Sequence, residues 1–241
     1  MPSLPRAILV DLDDTILDAG HRPVVLLAIA GEFVAQLAPH APVEVAENLE
    51  ALFERFWADP ARHKVARFGL AEARQQVVRE AFSALAPPLP QDVADRFAAR
   101  FTGLREEMTA CFPGAIEGLR GLRDLGIRLA LITNGSSATQ RAKIERFALA
   151  AYFDHIQIEG EMGFGKPEEQ AYRHAMAALG AEPHETWIVG DHLEWEVAAP
   201  QRLGLHAVWC DAFGRGLPEG TTIRPDRIVR SLIELLPADE G

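Results

Sequence analysis

Residues 6–18 read R-A-I-L-V-D-L-D-D-T-I-L-D. A short apolar run of strand type, Ala7–Val10, ends directly in three acids out of four positions, Asp11, Asp13 and Asp14. A run of this kind is the signature of a fully buried strand. Carboxylates that close repel, and burying one unpaired is costly. In open parallel sheets, ligands bind beyond the carboxyl ends of the strands. The cluster therefore directs attention to the end of this core strand.

Outward from it, the chain changes character twice. From about Leu17 to Phe112 it is rich in Ala, Leu, Glu, Arg and Phe at helical spacing. Helices are expected near 24–37, 43–57, 70–85 and 91–108, with separators P-H-A-P at 39–42, A-D-P at 58–60 and A-P-P-L-P at 86–90. No strand is expected there. From Phe112 on, strands at 127–132, 155–158, 186–189 and 206–209 alternate with helices at 115–125, 136–149, 168–179 and 193–203. A last helix is expected at 229–236, and the acidic tail A-D-E-G at 238–241 is expected to fray. Repeated β-loop-α units imply a parallel sheet with helices on both faces. The first strand thus belongs with the C-terminal half. The expected architecture is α/β: a three-layer α/β/α core of residues 1–16 and 113–241, with a helical domain, 17–112, inserted.

The chain has 241 residues and is 48% hydrophobic, as in an ordinary globular protein. Its net charge of −11 argues against nucleic acid or an anionic membrane as the main partner. A small anion is still compatible, because a local basic pocket or a bound cation reverses the field. Two cysteines, Cys111 and Cys210, without a C-x-x-C pair, suggest neither zinc nor a disulfide framework. Reduced, buried thiols in a cytoplasmic protein are the expectation. The stretch M-P-S-L-P-R at 1–6 does not read as a secretory signal, and the apolar run 24–30 is too short to span a bilayer.

Four of the five expected core strands are followed by chemistry. After the first come Asp11 and Asp13. After Ile132 come Thr133, Asn134 and Gly135. After Ile158, G-E-M-G-F-G leads to Lys166 and Pro167. After Val189 come Gly190, Asp191, Glu194 and Glu196. Each alone has an ordinary structural reading: a turn for Asp13, a helix cap for Thr133 or Asp191, a solvated loop for Lys166. Acids, a hydroxyl, a lysine and flexible glycines at four strand ends in this order form one constellation on one sheet edge.

In these motifs the chain resembles the haloacid dehalogenase superfamily of phosphohydrolases, in the branch with a helical cap inserted after the first strand. D-L-D-D-T at 11–15 is similar to its first motif, D-x-D-x-T. I-T-N-G at 132–135 is similar to the second, and G-K-P at 165–167 to the lysine motif. V-G-D-H-L-E-W-E at 189–196 is similar to the metal motif, usually G-D-x-x-x-x-D. F-P-G-A-I-E-G-L-R-G-L-R-D-L-G at 112–126 is similar to the return from cap to core. The resemblance spans nearly the whole chain and implies a Rossmann-like core.

That resemblance implies roles. Asp11 would be the nucleophile, forming an aspartyl-phosphate. Asp13, two residues on and pointing the same way, would be general acid and then general base. It would start protonated, favoured by a crowd of acids and partial burial. Thr133 would donate its hydroxyl to a phosphoryl oxygen, helped by the backbone N–H groups of Asn134 and Gly135. Lys166 would balance the charge of Asp11 and the transferring group. Mg²⁺ would be held by Asp11, Asp191 and the backbone carbonyl of Asp13. Glu196 stands where an aspartate is usual, as a longer, outer support, with Glu194 as an alternative. Asp14 would fix the loop, and Trp195 would either pack beneath the metal-motif loop or border the pocket.

The implied activity is Mg²⁺-dependent removal of phosphate from a small phosphorylated metabolite. A phosphomutase of the same fold and a 2-haloacid dehalogenase are the alternatives, and Asp13 counts against the second. A catalytically silent regulatory protein would not need Asp11, Asp13, Lys166 and Asp191 together. A cap would exclude water and choose the substrate. The basic stretch 61–68, with Arg62, His63, Lys64 and Arg67, is either a solvated helix-joining face or a substrate contact; His21 and Arg22 are the other candidates. A monomer or homodimer is expected, with neither nucleic acid nor membrane as partner.

Overall fold

The computed structural model describes residues 4–237, so the tail at 238–241 lies outside them. The chain divides into two units. One holds the residues up to Asp18 and from Ala110 on; the other is Ala19–Thr109.

The strands belong to the first unit: β1 (Ala7–Val10), β2 (Leu17–Asp18), β3 (Ala110–Cys111), β4 (Arg128–Thr133), β5 (His155–Ile158), β6 (Thr186–Gly190), β7 (His206–Cys210) and β8 (Arg227–Val229). Six of them form a parallel sheet in the order β5-β4-β1-β6-β7-β8. Val10 of β1 is level with Leu131 of β4 and Val189 of β6. The chain fills one side of β1 and then the other, so the strand order reverses there. The crevice beyond the carboxyl end of β1 is thus the natural ligand position. Side chains alternate across the sheet. Ile8, Val10, Leu129, Leu131, Val189 and Val208 share one core. Ala7, Leu9, Ala130, Ile132, Ile188 and Ala207 share the other. With both faces covered, β1 is apolar at every position.

β2 and β3 form a separate antiparallel pair, Leu17 opposite Cys111 and Asp18 opposite Ala110. The expectation of no strand in this region is therefore wrong at its margins. Two-residue strands leave no periodicity in a sequence.

The second unit is helical: α1 (Arg22–Glu32), α2 (Val34–Leu37), α3 (Pro42–Ala58), α4 (Pro60–Ala66), α5 (Leu70–Ala84) and α6 (Gln91–Met108). Its core is a set of stripes at helical spacing: Val25, Leu26 and Ile29; Leu49, Phe53 and Phe56; Val77, Val78 and Phe82; Phe97 and Phe101. Each such side chain stabilises by about 1.5–3 kcal/mol when fully buried. The helix expected at 24–37 breaks at Phe33, whose ring stands edge-on to Phe97 at 5.3 Å.

The stretch 61–68, expected as a helix-joining face or a substrate contact, is largely the short helix α4. Asp59 caps it, its carboxylate accepting the N–H groups of Ala61 and Arg62 at 2.9 and 3.1 Å. The Arg62 guanidinium lies 5.1 Å over Phe56, and the His63 ring packs edge-on to Trp57 at 5.0 Å. Arg22 grips Glu50 with two bonds of 2.7 and 2.6 Å. These three candidates are engaged within their own unit.

The remaining helices flank the sheet: α7 (Ala115–Asp124), α8 (Ser137–Arg146), α9 (Glu159–Met162), α10 (Glu169–Leu179) and α11 (Ala199–Arg202). The helix expected at 193–203 is a π-helical turn, Leu193–Ala198, running into α11. The last expected helix, 229–236, is overturned. Val229 ends β8 and is level with Cys210 in the sheet, and only a 3₁₀ turn, Leu232–Leu235, follows. Its two buried leucines, three residues apart, suit one 3₁₀ turn. Both thiols are free; Cys210 is buried, but Cys111 is only half-buried. Among the described residues no helix is long and apolar enough to cross a membrane.

Candidate active site

Asp11 lies one residue past β1, where its N–H still donates to the Val189 carbonyl at 3.0 Å. Its side chain is buried. One carboxylate oxygen, Oδ1, accepts from Lys166 Nζ at 2.5 Å, and Oδ2 accepts from the Thr15 hydroxyl at 3.1 Å. Lys166 is 1% exposed and also pairs with Glu196 Oε1 at 2.7 Å. The other Glu196 oxygen accepts the His192 N–H at 3.0 Å. One buried ammonium thus holds two buried carboxylates. Burial pushes the Asp11 pKa up to about 6; Lys166 pulls it down, while Glu196 and Asp13 push it up. Burial opposes the charge on Lys166, but Asp11 and Glu196 outweigh it and hold the ammonium above the ordinary lysine value. Gly190 is required beside this knot. A Cβ there would overlap Glu196 and come within 2.9 Å of the Asp11 Cβ.

Asp13 meets different surroundings from those expected. Besides the neighbouring Asp11 it faces an ammonium. Lys143 Nζ donates to its two oxygens at 2.7 and 2.9 Å, and Gln140 Nε2 donates to Oδ2 at 2.9 Å. Between it and the two-residue strand β2, Asp14 adopts a left-handed φ of 56° and donates its N–H to the Leu17 carbonyl at 2.8 Å. That bond turns the loop tightly, and the Asp14 carboxylate adds to the raised pKa of Asp191.

Thr133, the last residue of β4, is buried, and its hydroxyl accepts from Gln140 Nε2 at 2.5 Å. The Asn134 side chain is spent on the main chain of Lys166. Nδ2 donates to the Lys166 carbonyl at 2.7 Å, and Oδ1 accepts the Lys166 N–H at 2.9 Å. Gly165 makes room for this clamp, since a Cβ there would lie 2.5 Å from Asn134 Oδ1. The Gly135 N–H, expected near the phosphoryl group, donates to Glu159 Oε2 at 3.0 Å, a charge-assisted bond to a buried carboxylate.

Asp191 lies one residue past β6. Burial raises its pKa well above the usual carboxylate range; Asp11, Glu196 and Asp14 add to the rise, and Lys166 opposes it. Asp11, Glu196 and Asp191 all feel the Lys166 ammonium, and carboxylate oxygens are the donors that a hard divalent cation takes. Among the described residues no group of three His, Cys, Asp or Glu side chains gathers at metal distance. A cation here would thus draw on two carboxylates, a main-chain oxygen and water. Glu196 is engaged by Lys166 and the His192 N–H. Glu194 is turned the other way, to the surface, where it accepts from Arg202 at 2.6 Å. Trp195 stacks on the His192 ring at 4.1 Å, and its carbonyl accepts the Tyr172 hydroxyl at 2.6 Å.

The motif-by-motif reading missed Gln140, Lys143 and Glu159. Glu159 directly follows Ile158, the last residue of β5, but at this strand end the sequence signal is the glycine-rich run that starts at Gly160, which passes over it. Gln140 and Lys143 carry a fainter signal. Helix α8, S-A-T-Q-R-A-K-I-E-R, buries only Gln140 and Ile144, so half of its buried face is a polar side chain.

A family model for haloacid dehalogenase-like hydrolases matches residues 5–204. The chain belongs to this family of hydrolases. A phosphoserine phosphatase of Thermus thermophilus is 32% identical over 265 aligned positions, spanning 97% of this chain and 99% of that protein. An N-acylneuraminate-9-phosphatase of Rattus norvegicus is 39% identical over 110 residues, 45% of this chain and 44% of that one. Among solved structures, the HAD-hydrolase YfnB of Bacillus subtilis, bound to magnesium, aligns over 97% of both chains with a TM-score of 0.70 at 23% identity. At that identity the likeness is one of fold.

Proposed function

We propose that this chain is a Mg²⁺-dependent phosphatase that removes phosphate from a small phosphorylated metabolite through an aspartyl-phosphate on Asp11. The observation that carries the reading is the buried Asp11 carboxylate, held by Lys166 at 2.5 Å beyond the central strand, with Asp13 two residues on and separately paired. Phosphatases among the relatives support the same class.

In this reading an Asp11 oxygen attacks phosphorus as the bond to the ester oxygen breaks. Lys166 balances the negative charge gathering on Asp11 and the transferring group. Asp13, which must take up a proton before this step at the expense of its ion pair with Lys143, gives it to the departing oxygen, which leaves as an alcohol. In the second half, water attacks the aspartyl-phosphate and passes a proton to Asp13. Inorganic phosphate departs and Asp11 is restored. Thr133 donates its hydroxyl to a phosphoryl oxygen, and the Asn134 backbone N–H stands at the same strand end. Asn134 also acts through its side chain, by holding the main chain of Lys166. Asp11, Asp191 and the Asp13 carbonyl would hold Mg²⁺, which when bound neutralises charge on the phosphoryl oxygens. The helical unit is the cap that selects the substrate.

The test is release of inorganic phosphate from 4-nitrophenyl phosphate with and without Mg²⁺. Turnover that requires the metal and disappears in Asp11→Asn is the expected result. Turnover that persists in that variant removes Asp11 as the nucleophile.

A further inference from the structure

Gln140 and Lys143 sit three residues apart on one face of α8, behind its Ser136 cap. Gln140 is 2% exposed, and each end of its amide is used. Nε2 donates to Asp13 Oδ2 at 2.9 Å and to the Thr133 hydroxyl at 2.5 Å, while Oε1 accepts from Lys143 Nζ at 2.9 Å. Lys143 Nζ closes the circuit on both oxygens of Asp13.

Electrostatics fixes the direction of the amide. Reversed, it would aim its oxygen at the Asp13 carboxylate and its NH₂ at the Lys143 ammonium, and both contacts would repel. Because Gln140 donates, the Thr133 oxygen is the acceptor. The Thr133 proton has only a long contact to the Asn134 carbonyl, 3.5 Å, at the limit of a useful bond. It remains to be given elsewhere. The same amide therefore orients the hydroxyl and the carboxylate at once.

We infer that Gln140 and Lys143 are positioning residues: a clamp on one helix face that orients Asp13 toward the leaving oxygen and Thr133 toward the phosphoryl group. The inference rests on the reading of Asp13 as the proton carrier. Its consequence is selective. A misaimed acid harms departure of a basic oxygen and barely harms departure of one that leaves unaided. A change in Lys143 should therefore act according to the leaving group, whereas a change in Gln140 reaches Thr133 and should act on every ester.

The test compares kcat/KM for phenyl phosphate and 4-nitrophenyl phosphate in Lys143→Met, Gln140→Leu and Asp13→Asn, with melting curves to verify folding. For Lys143→Met the expected loss is on the order of 100-fold with phenyl phosphate and about threefold with 4-nitrophenyl phosphate, since general acid catalysis contributes roughly 10²–10⁴-fold where it is needed. Gln140→Leu should lose at least about tenfold with both esters, from the low end of what a transition-state donor supplies. A lysine analogue regenerated from Lys143→Cys with 2-bromoethylamine should restore the phenyl phosphate rate, with treated wild type as control. Losses of equal size on both esters in folded Lys143→Met, or no loss, would overturn the clamp while a collapse in Asp13→Asn leaves the phosphatase reading standing. An unaffected Asp13→Asn would overturn both.

Discussion

Asp11 and Asp13 are separated by one leucine, yet they occupy opposite electrostatic settings. Asp11 is 7% exposed and shares one buried ammonium with Glu196. Asp13 has a side chain 42% exposed and takes Lys143 and Gln140 from a flanking helix. Alternation along the backbone sets both on the same side of the chain. The partners, 155 and 130 residues away, make them different. The lesson is that a motif's two like residues acquire distinct characters through what the fold brings to each. On the buried side one shared ammonium holds the charge against the cost of burial; on the open side a hydrogen-bonded clamp holds it.

The largest effect should come from the buried side. Asp11→Asn keeps the shape but removes the attacking carboxylate, and phosphate release is expected to fall by at least about 10³-fold, because no other nucleophile replaces it. Lys166→Met would leave Asp11 and Glu196 facing each other without a cation. Urea titration is expected to register a loss of about 3–5 kcal/mol, the cost of stranding buried charge. A stability change within about 0.5 kcal/mol, the size usual for a surface substitution, would mean that the two carboxylates simply take up protons, and the contrast drawn between the two aspartates would collapse.

The pH dependence tests the same contrast more gently. With its pKa raised to about 6, folded Asp11 holds a proton more tightly than unfolded Asp11 does. Without metal, its contribution to stability is thus full below the ordinary carboxylate pKa and is lost as pH rises to about 6. Mg²⁺ needs the ionised form, so its effect runs the other way: the gain in Tm on adding Mg²⁺ should be small near about pH 5 and larger near about pH 7.5. Equal gains at both would separate Asp11 from the cation. The smallest effect should be Glu194→Gln. This surface partner of Arg202 contributes at most about 1 kcal/mol, and the Mg²⁺ requirement should be unchanged. A weakened Mg²⁺ response would restore Glu194 as a support for the metal.

Much of the core architecture was legible in the chain itself. β1 spans the expected Ala7–Val10, α6 the expected Gln91–Met108, and most other edges move by a residue or two. Apolar periodicity is a local property, and long stripes reveal it. Elements whose reasons lie elsewhere were not legible. β2 and β3 exist only as each other's partners, and Val229 is a strand residue because Cys210 lies beside it. The π turn at Leu193–Ala198 carries Glu196 to Lys166 and leaves Glu194 outside, a choice that two glutamates in one loop do not announce.

Sequence by itself determined the four strand ends and the residue types standing at them, because strand direction, turn chemistry and the sheet's switch point follow from local pattern. Only the tertiary structure decided which of those groups face one another. It turned the Gly135 N–H to Glu159, spent the Asn134 side chain on Lys166, and gave Asp13 a lysine partner. The physical reason is distance. Charge and hydrogen bonding act over a few ångströms in space, and folding alone determines which residues come within that reach.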